Sequence, residues 1–266
     1  MNADFRNVLS QRRSWLVPPL LVVGAVAAWF AFDPGFRGLG SNATTEMASD
    51  AFGQRVRDYL LEHPEVIMEA VQRLETRRRV AEDSEAQAVL KSRADEVFRD
   101  PASPVGGNPA GDVTMVEFFD YNCPYCRKVA SAVQETVAGD TKLRIVYKEF
   151  PILGPNSVFA AKAALAAHRQ GRYIAFHEAL MQARGAADEA GVLRIAAEVG
   201  LDVTRLKADM ADAEIQSAID RNLKLAQALR IAGTPGFVIG EHILRGATDA
   251  ATLRSLVDKA RAEPPL

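Results

Sequence analysis

Cys123 and Cys126, separated by Pro124 and Tyr125, are the only two cysteines among 266 residues. Three residues along a helix is close to one turn, which brings two thiols within bridging distance. A pair so placed can close a disulfide, open it on a foreign thiol and close it again. The nearly continuous apolar run from Val113 to Phe119 leads directly into the pair. It reads as a strand covered on both faces. Val129 to Val137 reads as a helix that begins at the pair, with Pro124 at a first helical position, where its missing N–H costs nothing. Cys123 then stands at a helix N-terminus, where unpaired N–H groups and the helix dipole favour a thiolate. Cys126, one turn inside, reads as the less exposed, resolving thiol. For the pair alone, half of a metal site and two inert buried thiols stay open as readings. Neither explains a strand before and a helix after. A zinc site of four cysteines from one chain is excluded, because no second pair exists.

Other chemistries find little support. His63, His168, His177 and His242 are scattered without ligand spacing. No Gly-rich phosphate loop, serine-centred nucleophile elbow or HExxH motif is present. Lys plus Arg is 32 against 34 Asp plus Glu, a net charge of −2, which argues against a nucleic-acid partner. Hydrophobic residues at 48% and charged residues at 25% exclude a largely disordered chain.

The elements around the pair follow from periodicity and punctuation. Leu143 to Phe150 reads as a second buried strand closed by Pro151. A long helical stretch follows to Leu229, with breaks expected at Gly171, Gly185, Gly191 and Gly200. Its Ala-rich part from Ala160 to Ala167 reads as close helix packing. Then come Gly233-Thr234-Pro235-Gly236, a strand from Phe237 to Ile239, a tight turn, Ile243 to Arg245, and a last helix around Leu253, Leu256, Val257 and Ala260.

Upstream, three textures succeed one another. Arg6, Arg12 and Arg13 precede an apolar run from Trp15 to Phe32. About 18 residues make roughly 27 Å of helix, enough to cross a bilayer core. The run reads as a retained anchor or a cleaved signal, and positive charge before it keeps the N-terminus inside. Either way the rest lies outside the cytoplasm, where a disulfide persists. Residues 33–46 read as a linker. From Met47 to about Phe98 the pattern is helical, with a narrow seam of Phe52, Val56, Leu60, Ile67, Val71 and Leu74 that calls for another helix or another chain. Asp100-Pro101, Pro104, Gly106-Gly107 and Asn108-Pro109 read as a boundary loop. The expected domains are 1–46, 47–99 as a helical stalk, and 100–266.

Phe118-Phe119-Asp120-Tyr121-Asn122-Cys123-Pro124-Tyr125-Cys126, together with Gly233-Thr234-Pro235, resembles the DsbA-like branch of the thioredoxin superfamily. The segment Tyr59-Leu60-Leu61-Glu62-His63-Pro64-Glu65-Val66-Ile67 is similar to the ScsC-like subgroup. The resemblance implies an α/β thioredoxin fold with an inserted helical domain at about 155–229, preceded by the helical stalk and the membrane-spanning or signal segment. It implies Cys123 as nucleophile, Cys126 as resolving thiol, a cis Pro235 facing the pair, and Thr234, Pro124 and Tyr125 in contact with substrate. Glu117 falls where thioredoxin-like proteins carry a buried acid, and could shuttle the Cys126 proton. Lys148 on the neighbouring strand is a candidate partner for Glu117. No cofactor beyond the Cys123–Cys126 disulfide and no metal is expected.

These readings add up to an exported thiol-disulfide oxidoreductase acting on cysteines of envelope proteins. It would be tethered to the inner membrane by residues 15–32, served by a membrane redox partner and self-associated through 47–99. Strongly oxidising DsbA proteins carry a histidine at the Tyr125 position, and isomerase-like relatives often carry Thr at the Thr234 position. Both favour an isomerase or reductase. A monomeric oxidase, a Cu(I)- or zinc-sequestering protein and a holdase remain the rivals.

Overall fold

The computed structural model of the chain describes residues 41–263. The apolar run at 15–32 lies outside the described residues. Among those described, no helix is long and apolar enough to cross a membrane. The chain divides into two compact units after Val71.

The first unit holds α1 (Ser41–Glu62) and the start of α2 (Glu65–Ser92). Pro64 separates them, lying in the turn just ahead of α2. It has no N–H for α1 and disfavours helical geometry at His63. His63 N–H closes α1 on the Tyr59 carbonyl, and Ile67 N–H opens α2 on the Pro64 carbonyl. Phe52, Tyr59, Leu61 and Met68 are exposed on these helices.

The second unit is built on a five-stranded sheet: β1 (Val105–Gly107), β2 (Val113–Phe119), β3 (Leu143–Glu149), β4 (Gly236–Ile239) and β5 (His242–Arg245). The order is β1-β3-β2-β4-β5. β2 and β3 are parallel; the other three pairings are antiparallel. The two parallel strands are apolar on both sides because helices cover both faces. One face packs against α4 (Pro124–Gly139) and α10 (Ala250–Ala262), in a cluster that also takes in the helical insert. The opposite face carries Val116, Phe118 and Val146 against Leu225, Ala226 and Leu229. This is a thioredoxin-like α/β arrangement.

The insert comprises α5 (Pro155–Arg169), α6 (Tyr173–Gln182), α7 (Glu189–Glu198) and α8 (Val203–Met210), and α9 (Ala213–Ala228) leads from it back to the sheet. Six alanines between Ala160 and Ala167 are buried, which lets α5 pack closely against its neighbours. Gly171, Gly185 and Gly200 fall between helices with positive φ. Gly191 does not break the chain: it lies inside α7, and its N–H is capped by Asp188 at 2.8 Å. Asp188, Asp202, Asp212 and Asp249 cap α7, α8, α9 and α10 through their side chains. The Asp212 cap marks a helix start that glycine punctuation passes over.

Further expectations are corrected. The linker expected at 33–46 overlaps α1, which begins at Ser41, six residues before the expected start of the stalk at Met47. The boundary loop contains β1, an edge strand antiparallel to β3. Its glycine reflects close approach, since a Cβ on Gly106 would stand 3.1 Å from Ile145, Tyr147 and Ile174. The expected domain break at 99/100 also does not hold. Leu90 of α2, with Ala94, Val97 and Phe98 of α3 (Ala94–Phe98), is buried in the cluster on the second sheet face, and Ala86 of α2 is buried as well. The apolar stripe of the exposed helices is interrupted at Arg78 and Glu82, and where it resumes at Leu90 it meets the sheet.

Candidate active site

β2 runs into the pair through Asp120, Tyr121 and Asn122. Cys123 is the N-cap residue of α4, with φ −78° and ψ 117°, and Pro124 follows in the first turn. Cys123 N–H donates to the Asp120 carbonyl at 3.0 Å. The strand end and helix start therefore fix the Cys123 backbone. Both cysteines are free thiols. Cys123 retains 4% of its surface and Cys126 none, which is the order of access expected from one turn of helix. Burial pushes the Cys126 thiol well up, and the charges of Glu117 and Cys123 add to it.

The loop before β4 approaches both sulfurs. The Thr234–Pro235 bond is cis. Cys123 Sγ donates to the Thr234 carbonyl at 3.3 Å. The Thr234 side chain partly offsets the effect of burial on the Cys126 thiol. Pro235 is buried, and its carbonyl accepts Gly246 N–H at 2.9 Å, holding the loop to the segment after β5. Tyr125, between the cysteines, is 61% exposed.

Glu117 is buried in β2, and desolvation pushes its pKa up to about 8. Its charge acts on Cys126 and on Tyr147. Lys148 does not join it. In the parallel register Glu117 pairs with Tyr147 and Phe118 with Lys148, so the two side chains leave opposite faces of the sheet. Lys148 Nζ instead donates to the Glu96 carbonyl at 2.8 Å and to Asp100 Oδ2 at 3.2 Å. It fastens α3 and the following turn to the sheet.

Several residues near the pair carry more than sequence reasoning assigned them. Asp120 is buried; its Oδ1 accepts Asn122 N–H at 2.8 Å, and its Oδ2 accepts Ile152 and Leu153 N–H at 2.9 and 3.0 Å. Asn122 donates to Ser157 and accepts Ala187 N–H at 2.7 Å, tying the loop to the insert. Arg127 donates to the carbonyls of Tyr121, Ala183 and Gly185. Beneath the loop, Glu149 accepts from Tyr121 and Tyr173 hydroxyls at 3.1 and 2.7 Å, and Tyr121 also meets His177 Nδ1 at 3.1 Å. Burial raises Glu149 well above the carboxylate range, its two tyrosine hydroxyls working against that shift, and lowers His177 to about 3, so the imidazole is neutral at neutral pH. The one sequence signal for these roles is polar residues at the ends of apolar strands.

Among the described residues no group of three or more His, Cys, Asp or Glu is arranged to hold a metal ion.

Residues 114–258 match the DSBA-like thioredoxin domain family, and residues 49–81 match the family described as the copper resistance protein ScsC N-terminal domain. A thioredoxin-like oxidoreductase from Silicibacter pomeroyi DSS-3 is similar at 52% identity and TM-score 0.63, over 64% of this chain and 98% of that one. Proteus mirabilis ScsC, solved in a transitional conformation, is similar at 30% identity and TM-score 0.61, over 83% of this chain and 99% of that one. Among curated proteins, the Na(+)/H(+) antiporter NhaA 3 of Salinispora tropica is 30% identical over 164 residues, which is 61% of this chain and 25% of the antiporter. The chain thus spans about a quarter of the length of the first curated relatives it matches.

Proposed function

The chain belongs to the DSBA-like thioredoxin domain family and is a protein thiol-disulfide oxidoreductase; from that premise we propose that it works outside the cytoplasm, on cysteines of envelope proteins, in the isomerase or reductase direction. The observation that carries the direction is the contact of the Thr234 carbonyl with the Cys123 thiol. It accepts from Cys123 at 3.3 Å, a bond that only the thiol form of Cys123 can donate. Tyr125 supports the same reading, because it offers no imidazolium between the cysteines to stabilise the thiolate.

The chemistry balances as two exchanges. The Cys123 thiolate attacks a substrate disulfide, forms a mixed disulfide and releases one substrate thiolate. Cys126 then attacks the Cys123 sulfur, which frees the second substrate thiol and leaves Cys123–Cys126 oxidised. Glu117 takes the proton of Cys126 as it attacks, acting from its deprotonated form, a minority at neutral pH because its pKa is about 8. In isomerisation a different substrate thiolate attacks the substrate sulfur of the mixed disulfide instead, a new substrate disulfide forms, and Cys123 leaves as a thiolate with the pair reduced. Pro124, Tyr125, Thr234 and Pro235 form the surface on which the substrate segment lies.

Residues 15–32 serve as the tether to the inner membrane, and a membrane redox partner resets the pair. The helices of 47–99 join copies of the chain. Exposed Phe52, Ile67 and Leu74 are the apolar seam that such a contact would cover. Several Cys123 sites on one assembly raise the effective concentration of thiol around a misfolded substrate.

Acid quenching followed by alkylation of the protein in its native compartment tests the direction. A mainly reduced pair is expected; a mainly oxidised one sinks the isomerase reading in favour of a disulfide oxidase. Alkylation near neutral pH is expected to label Cys123 first, and Cys126→Ser to accumulate mixed disulfides through Cys123. The ScsC match keeps one second reading in view, since two thiolates suit Cu(I). Tight Cu(I) binding by the reduced protein, without exchange on model disulfides, is the result that would favour it.

A further inference from the structure

Asp120 is a buried acid beside the pair that the exchange chemistry leaves unused. Its position is unusual in what it connects. Its main-chain carbonyl accepts the Cys123 N–H at 3.0 Å, so it sets the height of the reacting residue at the helix start. Its Oδ2 accepts the successive N–H groups of Ile152 and Leu153, in the segment just past β3. Phe150 N–H donates to the Phe119 carbonyl at 2.9 Å, so the two chains run side by side up to that point. The backbone of Ile152 and Leu153 is thereby held while the side chains remain 38% and 50% exposed. The fold itself is tied here by other groups. Asn122 and Arg127 already bind this loop to the insert.

We propose that Asp120 is a positioning residue for substrate selection: it fixes Ile152 and Leu153 relative to Cys123 so that a polypeptide with an apolar residue beside its cysteine is preferred over a polar-flanked peptide or a small thiol. Holding the rim in place before binding removes an ordering cost that a loose segment would impose on each encounter. A small thiol has no flanking residue to gain from the rim. The inference rests on thiol exchange and not on its direction. A mainly oxidised pair in the cell would end the isomerase reading and leave this one standing.

The test uses the full chain and three probes: glutathione, a peptide with leucine flanking its cysteine, and the same peptide with serine in the flanks. Exchange is followed in both directions. Asp120→Asn replaces one acceptor oxygen by an amide that cannot accept an N–H. It is expected to lose about tenfold more kcat/KM on the leucine peptide than on glutathione, mainly through KM, and to erase the preference for leucine over serine flanks. Equal losses on all three probes would mean that Asp120 acts on the thiols, and would overturn the proposal; so would a retained leucine preference. If Asp120→Asn does not fold, Ile152→Ser with Leu153→Ser, at exposed positions, is expected to erase the same preference. Retention of the preference in that variant also overturns it.

Discussion

The N-terminal helices and the catalytic unit depart from the usual partition of polar and apolar residues in opposite ways. The helices leave apolar side chains in water: Phe52 is 63% exposed, Leu74 58% and Val80 65%. The catalytic unit puts ionisable groups inside: Glu117, Asp120, Lys148, Glu149 and His177 are all buried. The difference lies in where the compensation comes from. Within the unit, Lys148 has Asp100 and a carbonyl, Asp120 has three N–H groups, and Glu149 has two hydroxyls. Burial is tolerable because each of these polar groups is met in the same chain. For the exposed seam, nothing of equal kind is supplied by the helices themselves. A partner surface fits that asymmetry, and interior chemistry fits the other.

The comparison breaks most easily at the Lys148 pair. Asp100→Ala leaves a fully buried ammonium with only a carbonyl, and is expected to lower unfolding stability by about 3 kcal/mol in urea titration. A loss below about 0.5 kcal/mol would show that Lys148 is not compensated by this partner. Glu117 gives a pH signature. It holds its proton to about pH 8 in the fold against 4.5 unfolded, so its burial lowers stability progressively as pH rises from about 4.5 to about 8. Glu117→Gln is expected to flatten that decline by up to about 1.4 kcal/mol per pH unit, read from urea titrations across the window. An unchanged slope would mean that the carboxyl is not held protonated. The smallest stability effect is expected in the seam. Ile67→Asp with Leu74→Asp should change the stability of a single chain by less than about 0.5 kcal/mol. Light scattering should nevertheless show that it abolishes self-association, with refolding of scrambled substrate falling alongside. A wild-type chain that is already monomeric would remove the partner from the comparison.

Much of this was legible in the residues. The run Val113 to Phe119 coincides with β2, because a strand apolar on both sides has few other solutions. The Cys123–Cys126 spacing and Pro124 located the start of α4, and Thr234-Pro235 is cis beside the pair. Other features were hidden for definite reasons. β1 is three residues long with two glycines, and only its long-range pairing with β3 distinguishes it from a loop. Lys148 looked like a partner for Glu117 because the strands are neighbours; the register that separates their faces is not written in either strand. Leu90, Ala94 and Val97 share the spacing of the exposed seam, and spacing does not say what covers a stripe. Asp120 was visible within a motif, but its bonds to Ile152 and Leu153 cross 32 and 33 residues of sequence.

The burial of Ala86 and Leu90 also sets where this oxidoreductase can be cut and grafted. A portable module does not begin at the proline-rich turn near residue 100, since removal of α3 and the end of α2 would strip one sheet face. The graft point belongs upstream of Asp83, whose carboxylate meets Arg245 at 2.9 Å while Arg245 also donates to the Leu229 and Arg230 carbonyls. A fusion that joins this domain to another protein therefore inherits a helix as its handle. The incoming chain can enter as a continuous helix, with no flexible tether required at the junction.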